Sequence, residues 1–507
     1  MSDTLTQLST LGELKENNYR VRPVKDEIRR NLMRRLRNGD EIFPGILGYD
    51  EVVIPQIQNA LLARHNFILL GLRGQAKSRL IRMLPSLLDE YVPIVEGSEI
   101  NDDPFDPVSK HARELVEEAG DETSIEWLHR SERYGEKLAT PDTTIADLIG
   151  DIDPIKAANE RLTYADEEVI HFGIIPRTNR GLFAINELPD LQPRIQVGLL
   201  NIMEEQDIQI RGFNIRFPLD NLMIFTANPE DYTNRGSIIT PLKDRIDSQI
   251  LTHYPESIEV GMEITEQEAW QERANGEEEG VSVSVPHYFR EIVEQVAVEA
   301  RQSEYVDQQS GVSVRVTRAA LEDLISAAER RALVHGKTET TARIVDLQHV
   351  VPAITGKVEL VYEGEQEGPQ NVARLLIGRA IKSIYGRYFP DPSDKDGGGR
   401  DAYQDVLGWF GQGNDVDLTP DMPFEEYARE LDRVDGLKAL ARNHVQPGSP
   451  AETASAMEFV LEALHQHSML GKDLVSHRRT YSDMMGSVLS SIDDLDDGDI
   501  DPEDYRR

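Results

Sequence analysis

The run Asn66-Phe67-Ile68-Leu69-Leu70-Gly71-Leu72-Arg73-Gly74-Gln75-Ala76-Lys77-Ser78-Arg79-Leu80 constrains this chain more than any other stretch. Its apolar half, bounded by Asn66 and Gly71, reads as a short buried strand. A glycine-bearing loop follows, and then Lys77-Ser78. The apolar spacing Leu80, Ile81, Leu84, Leu87, Leu88 suits a helix. Strand, loop, Lys-Ser and helix is the layout of a phosphate-binding loop. Backbone N–H groups around Gly71, Gly74 and Ala76 would point at phosphate oxygens, Lys77 would add a point charge, and the Ser78 hydroxyl would ligate Mg²⁺. Against the pattern G-x-x-x-x-G-K-[ST], one position departs: the second glycine is Ala76.

A chain of 507 residues exceeds what one core supports and predicts two to four domains. It is 39% hydrophobic and 29% charged, the composition of a water-soluble globular protein. The formal net charge of −37 argues against nucleic acid or a membrane surface as the main partner. With no cysteine, disulfides, thiol catalysis and Cys-ligated metal are excluded. No uninterrupted apolar run approaches membrane-spanning length and no leader pattern opens the chain, so the expected location is the cytoplasm.

Residues 1–40 carry a cluster of arginines interleaved with Ile28, Leu32, Met33 and Leu36. They are read as a basic helical N-terminal arm, with a solvated basic face as the simplest account and binding of nucleic acid or a neighbouring subunit as the functional one. Residues 41–256 read as an α/β core with a largely parallel five-stranded sheet, from Phe67–Leu70, Val92–Val95, Leu182–Ile185, Met223–Thr226 and Ile250–Tyr254. A polar insertion covers roughly residues 97–170, and its acidic run Asp102-Asp103-Pro104-Phe105-Asp106 is expected as a solvated loop. Ile208–Phe217 alternates like a hairpin turning at Gly212-Phe213-Asn214. A polar connector is expected over 257–285, a helical domain over 286–360 and a further helical region over 361–490. The link Asp394-Lys395-Asp396-Gly397-Gly398-Gly399-Arg400 and the acidic tail 491–507 are expected to be irregular. The tail is not an EF-hand, because Leu495 would fall at a ligand position.

A phosphate loop expects a second strand ending in acidic residues that hold Mg²⁺ and polarise water. Gly181-Leu182-Phe183-Ala184-Ile185-Asn186-Glu187 is such a strand, with Asn186 where an aspartate is usual and Glu187 as the candidate base. The next apolar strand ends Phe225-Thr226-Ala227-Asn228-Pro229, and the Asn228 amide could orient a lytic water. In Pro241-Leu242-Lys243-Asp244-Arg245-Ile246, Arg245 is either a surface partner of Asp244 or an arginine finger aimed at a neighbouring subunit's nucleotide.

In this order the pieces resemble the AAA+ ATPases, and more narrowly the clade of the magnesium-chelatase ATPase subunit and the MoxR ATPases. Ile46-Leu47-Gly48-Tyr49-Asp50 matches the segment lining the adenine pocket there, which places Leu47 and Gly48 at the base. Thr143–Asp153 and Phe172-Gly173-Ile174-Ile175 resemble an insertion and the approach to the acidic strand. Gly311-Val312-Ser313-Val314-Arg315 resembles the opening of the family's α-helical lid, with Arg315 as its sensor-2 arginine. The likeness covers about residues 41–360.

The resemblance implies an ATPase using ATP and Mg²⁺, with Ser78 and Asn186 toward the metal and Glu187, Asn228, Arg245 and Arg315 in catalysis. It implies a homo-oligomeric, hexameric ring that remodels a partner protein or inserts metal into it; a MoxR-type partner bears a metal-dependent adhesion domain. Two other readings stand beside it. Ala76 adds a methyl near phosphate and Asn186 removes a negative charge, which suits an ATP-binding assembly factor with little turnover. An AAA+ transcriptional activator is the third, but the Gly-Ala-Phe-Thr-Gly-Ala loop and a DNA-reading helix are missing from the sequence. If the two departures slow the motor, restoring Gly at 76 and Asp at 186 is expected to raise turnover.

Overall fold

The computed structural model describes residues 5–484 apart from 154, 156–166, 206, 210–215, 230–236, 272, 274–279, 395–398 and 476–477. It forms two compact units, Met1–Tyr254 and Pro255–Arg507.

The first unit is built on five parallel strands: β1 (Phe67–Leu70), β2 (Tyr134–Leu138), β3 (Gly181–Asn186), β4 (Asn221–Ala227) and β5 (Ser248–Leu251). Their spatial order is β5-β1-β4-β3-β2. Parallel strands covered on both faces need apolar side chains at successive positions, and the inner strands supply them. Phe67 and Leu69 pack with Leu182, Ala184, Leu222 and Ile224 on one face. Ile68 and Leu70 pack with Phe183, Ile185, Met223 and Phe225 on the other. Helices α1 (Val24–Asn38) and α2 (Lys77–Met83) cover the first face, and α3 (Pro193–Glu204) covers the second.

Three expectations are corrected in this unit. Val92–Val95 is not a member of the parallel sheet. Tyr91–Val95 pairs antiparallel with Ile125–His129, and β2 takes the edge position beside β3. Residues 24–38 are not a free-standing arm: Val24, Ile28 and Leu32 are buried in the sheet's core cluster. Arg30 pairs with Asp89 at 2.6 Å, Arg29 Nε donates to the Leu62 carbonyl, and Arg35 donates to the Ser86 carbonyl. The acidic run is not simply solvated either. Asp102 is fully buried, and its carboxylate accepts the Val108 and Ser109 N–H groups and the Ser98 hydroxyl. Asp207–Gln209 and Arg216–Pro218 do pair antiparallel, while the expected turn at 212–214 lies outside the described residues.

Helix α1 is also tied to the sheet by charge. Arg133, at the start of β2, forks onto Glu27 at 2.9 and 2.7 Å and donates from Nε to the Arg180 carbonyl. Both side chains are buried, at 1% and 3% exposure. Removing either partner would strand a buried charge. The helix ends at Gly39, whose φ of +73° is left-handed.

In the second unit, the helices His287–Gln302, Arg315–Val334, Pro369–Tyr388 and Pro450–Gln466 share one hydrophobic cluster running from Tyr288 to Tyr481. The expected boundary near residue 360 therefore falls inside a continuous core. The expected connector contains a helix, Ile258–Glu268, capped by Ser257. The helical region expected over 361–490 also contains a three-stranded antiparallel sheet of Val416–Leu418, Gly471–Val475 and Arg478–Ser482. Ser449 caps Pro450–Gln466 as the sequence indicates, accepting the Glu452 N–H at 3.1 Å. The tail from 485 onward lies outside the described residues.

Pro23 supplies no side-chain cap to α1; the Asp220 carboxylate accepts the Val24 N–H at 2.7 Å instead. Burial pushes the Asp220 carboxyl up to about 6 from an ordinary 3.8. Between those values the native state holds more protons than the unfolded chain, so this stabilisation is lost as pH rises through about 6. Asp220→Asn, which keeps an acceptor but cannot ionise, should be more stable relative to wild type at about pH 7 than at about pH 4. Denaturant midpoints at the two pH values check the sign.

Candidate functional site

The parallel order places the C-terminal ends of β1, β3 and β4 at one edge of the sheet, where ligands of open α/β folds bind. The loop after β1 is shaped by two left-handed residues, Gly74 at φ +76° and Ala76 at φ +53°. Ala76 stands at the N-cap of α2. A glycine takes that conformation freely, whereas an alanine pays about 1 kcal/mol for it. The departure from the motif is thus a backbone strain as well as an added methyl. At Gly71 no side chain fits: a Cβ would lie 1.9 Å from Thr252 Oγ1 and 2.1 Å from Gln75 Oε1. Those two groups are themselves joined, Thr252 Oγ1 donating to Gln75 Oε1 at 2.7 Å.

Lys77 is buried, and its ammonium donates to the carbonyls of Gly71 and Leu72 and, at 2.7 Å, to Asn228 Oδ1. The Asn228 amide in turn donates to Glu187 Oε2 at 3.0 Å. The loop lysine, the end of β4 and the end of β3 are thereby joined in one chain of hydrogen bonds. Thr226 locks the strand ends together, its hydroxyl accepting the Glu187 N–H and lying 3.2 Å from Asn186 Oδ1. Glu187 is itself left-handed, at φ +55°, which turns the chain immediately after β3. Strained residues of this kind persist where surrounding structure over-determines them.

Ser78 is exposed on the first turn of α2. Asn186 is buried, and its amide donates to Glu136 Oε1 at 2.5 Å. Glu136 lies on β2 and is gripped by both arms of Arg82, at 2.8 and 2.9 Å, and by the Tyr134 hydroxyl at 2.9 Å. The Arg82 guanidinium, foremost, holds the Glu136 carboxyl below its ordinary value. Tyr49 closes the other flank: its hydroxyl lies 3.0 Å from the Gln75 carbonyl and 2.9 Å from that of His253. Burial pushes that phenol up to about 12. Its neighbour Leu47 is half-buried and Gly48 exposed, with φ +77°.

Gly71, Gly74, Ala76, Lys77, Asn186, Glu187 and Asn228 are thus gathered within one region. Arg245 is engaged elsewhere on the first unit, with Glu204 at the end of α3 rather than with Asp244; Nε donates to Glu204 Oε2 at 2.9 Å and Nη1 to the Pro241 carbonyl. Arg315 belongs to the second unit, exposed at the first position of Arg315–Val334. Sequence reasoning missed Tyr49, Gln75, Thr252, Arg82 and Glu136. Four of these lie in or beside segments already singled out; Glu136 lies in the polar insertion, where nothing in the sequence marks it.

No family model matches the chain. Among curated proteins it is 25% identical over 226 residues to the magnesium-chelatase 38 kDa subunit of Cereibacter sphaeroides, across 44% of this chain and 61% of that one. It is 26% identical over 228 residues to a magnesium-chelatase subunit ChlI homolog of Methanocaldococcus jannaschii, across 44% and 59%. Over those residues the chain is similar to magnesium-chelatase subunits. The match spans about three fifths of either curated relative.

Among solved structures, the complex of BchI and BchD of magnesium chelatase is similar at 17% identity over 64% of this chain and 98% of that one, with a TM-score of 0.33. NtrX from Brucella abortus in complex with ATP is similar at 13% identity over 59% and 53%, with a TM-score of 0.34. Likeness at that level carries no weight, and the fold rests on this chain's own strand order and loop. Among the described residues no helix is long and apolar enough to cross a membrane.

Gly71 and Ala76 should differ in how strongly a single methyl is felt. Gly71→Ala should cost about 1–3 kcal/mol by overpacking against Thr252 and Gln75. For Ala76→Gly the released strain and the added unfolded-state freedom oppose each other, leaving a change within about 1 kcal/mol. Urea unfolding of the two variants beside wild type measures both.

Proposed function

We propose that the chain binds ATP with Mg²⁺ at the loop after β1 and hydrolyses it as a ring-forming motor acting on a partner protein. The observation that carries this reading is the hydrogen-bonded series Lys77–Asn228–Glu187 at the C-terminal edge of the sheet. The donor set suits a polyphosphate: loop N–H groups, the N-terminus of α2 and a buried ammonium. A divalent cation would be held by Ser78 and the Asn186 region, and would neutralise charge between phosphate oxygens.

Each residue then has a defined task. Lys77 gives up a carbonyl or amide partner to meet phosphate charge. Glu187 accepts a proton from, or orients, the attacking water, and Asn228 keeps Glu187 aligned with Lys77. Arg245 serves a neighbouring subunit's nucleotide. Its pair with Glu204 is partly exposed, at 28% and 56%, and exposed pairs are worth only about 0–1 kcal/mol, so exchange costs little. Arg315 places a cation at the positive end of its helix, where the dipole does not favour it, which suits a role toward a phosphate.

The resemblance points to a homo-oligomeric hexamer, to remodelling or metal insertion as the work, to a partner with a metal-dependent adhesion domain, and to the cytoplasm. The strained Ala76 and the neutral Asn186 favour a second reading, a nucleotide-gated assembly factor with slow turnover.

Steady-state phosphate release from wild type, Lys77→Ala, Glu187→Gln and Arg245→Ala separates these readings. The motor requires Glu187→Gln to fall by about a hundredfold or more, with the other two also impaired. Equal rates in all four proteins overturn the site. Nucleotide-dependent assembly without phosphate release favours the second reading.

A further inference from the structure

The residue at 186 sits where a metal site would want a negative charge, yet it is a neutral amide. In the register of β2 against β3, Leu138 lies opposite Asn186 and Glu136 opposite Ala184. Side chains two apart share a face, so Glu136 and Asn186 project on the same side of the sheet. Ala184 packs there with Leu80 and Ile81, so this is the side covered by α2. Ser78 and Arg82 are four apart on α2, hence neighbours on one helix face. Arg82 reaches Glu136, and Glu136 reaches the Asn186 amide. A carboxylate therefore meets the side chain that lies one helical turn from Ser78, and it is in direct contact with residue 186.

We propose that Glu136 supplies the anionic partner for the divalent cation at this site, the charge having moved from the end of β3 to the neighbouring edge strand. The inference rests on the nucleotide reading above and goes beyond it by assigning a residue outside the phosphate loop and the two strand-end motifs. The hydrogen bonding around residue 186 agrees with this division of labour. Its Oδ1 faces the Thr226 hydroxyl and its Nδ2 faces Glu136, so the amide bridges the two and keeps the carboxylate in place. An aspartate at 186 would set two carboxylates against each other, and one would resist ionisation. Asn186 is thus the residue that a carboxylate at 136 permits.

Arg82 acts as the counter-ion that a cation can displace. Its side chain is 63% exposed while that of Glu136 is 18% exposed, so the arginine can swing into water with little loss. The Tyr134 hydroxyl stays on Glu136 Oε2 and holds the carboxylate's direction. Glu136 is a positioning and charge-supplying residue rather than a base; Glu187 keeps that role.

The test is equilibrium binding of a fluorescent ATP analogue, titrated with Mg²⁺ and, separately, in excess EDTA, with Mn²⁺ paramagnetic resonance of the nucleotide complex as a second readout. Glu136→Gln should leave the EDTA affinity unchanged and raise the Mg²⁺ concentration needed by about tenfold or more. Asn186→Asp alone should give no tighter Mg²⁺ requirement than wild type. The double variant Glu136→Gln with Asn186→Asp should regain the wild-type requirement, because one carboxylate then occupies the pair. An unchanged Mg²⁺ requirement in Glu136→Gln overturns the proposal, as does a double variant no better than Glu136→Gln. Failure of the nucleotide reading looks different: Lys77→Ala would then match wild type in EDTA.

Discussion

A buried ammonium must be fully satisfied or it destabilises whatever surrounds it, and Lys77 is satisfied by three segments at once. Its partners are the loop carbonyls of Gly71 and Leu72 and, through Asn228, the carboxylate of Glu187. The loop after β1, the end of β4 and the end of β3 cannot shift independently without leaving a donor or acceptor unpaired. The parallel order β5-β1-β4-β3-β2 brings those ends to one edge, and the lysine joins them. Strain at Ala76 and Glu187 is tolerated because this network and Thr226 hold the backbone on either side.

The edge strand shows how such a network is extended. Arg133 and Glu27 form a forked, buried pair that binds helix α1 to the beginning of β2. Two residues beyond Tyr134, Glu136 meets both α2, through Arg82, and the end of β3, through Asn186. One strand thus connects the N-terminal helix, the loop helix and the site. Val92–Val95 was the better strand by composition, being apolar and β-branched. It is diverted into a two-stranded antiparallel pair with Ile125–His129. The sheet's edge needs less apolar surface than its centre, so the more polar Tyr-Gly-Glu-Lys-Leu can occupy it.

The second unit uses buried charge differently. On Pro450–Gln466, Glu458 and Glu462 lie four apart on a buried face. Tyr427 donates to Glu458 at 2.7 Å, while Tyr481 and Lys472 donate to Glu462 at 2.6 and 2.7 Å. Burial pushes Glu458 up to about 6, whereas the basic groups around Glu462 hold it far below the ordinary carboxylate range. These contacts tie the helix to the small antiparallel sheet, while Tyr288, stacked on Phe459 and bonded to the Ser455 hydroxyl, carries the core past residue 360.

Local pattern was enough for the strand–loop–helix unit around Lys77, the central strands β1, β3 and β4 and the capped helix from Ser449, and it named Lys77, Ser78, Asn186, Glu187 and Asn228 as candidates. In each, the chemistry is carried by neighbours in the chain: an apolar run, a glycine, a cap, a strand-end acid. Tertiary structure decided everything that depends on which segments meet. It chose Tyr134–Leu138 over Val92–Val95 for the edge, paired Arg245 with Glu204, and folded the basic helix onto the sheet. It also buried Asp102 and set Glu136 against Asn186. These outcomes are set by strand register and by pairs of charges far apart in sequence, and neither leaves a periodicity for a one-dimensional reading to find.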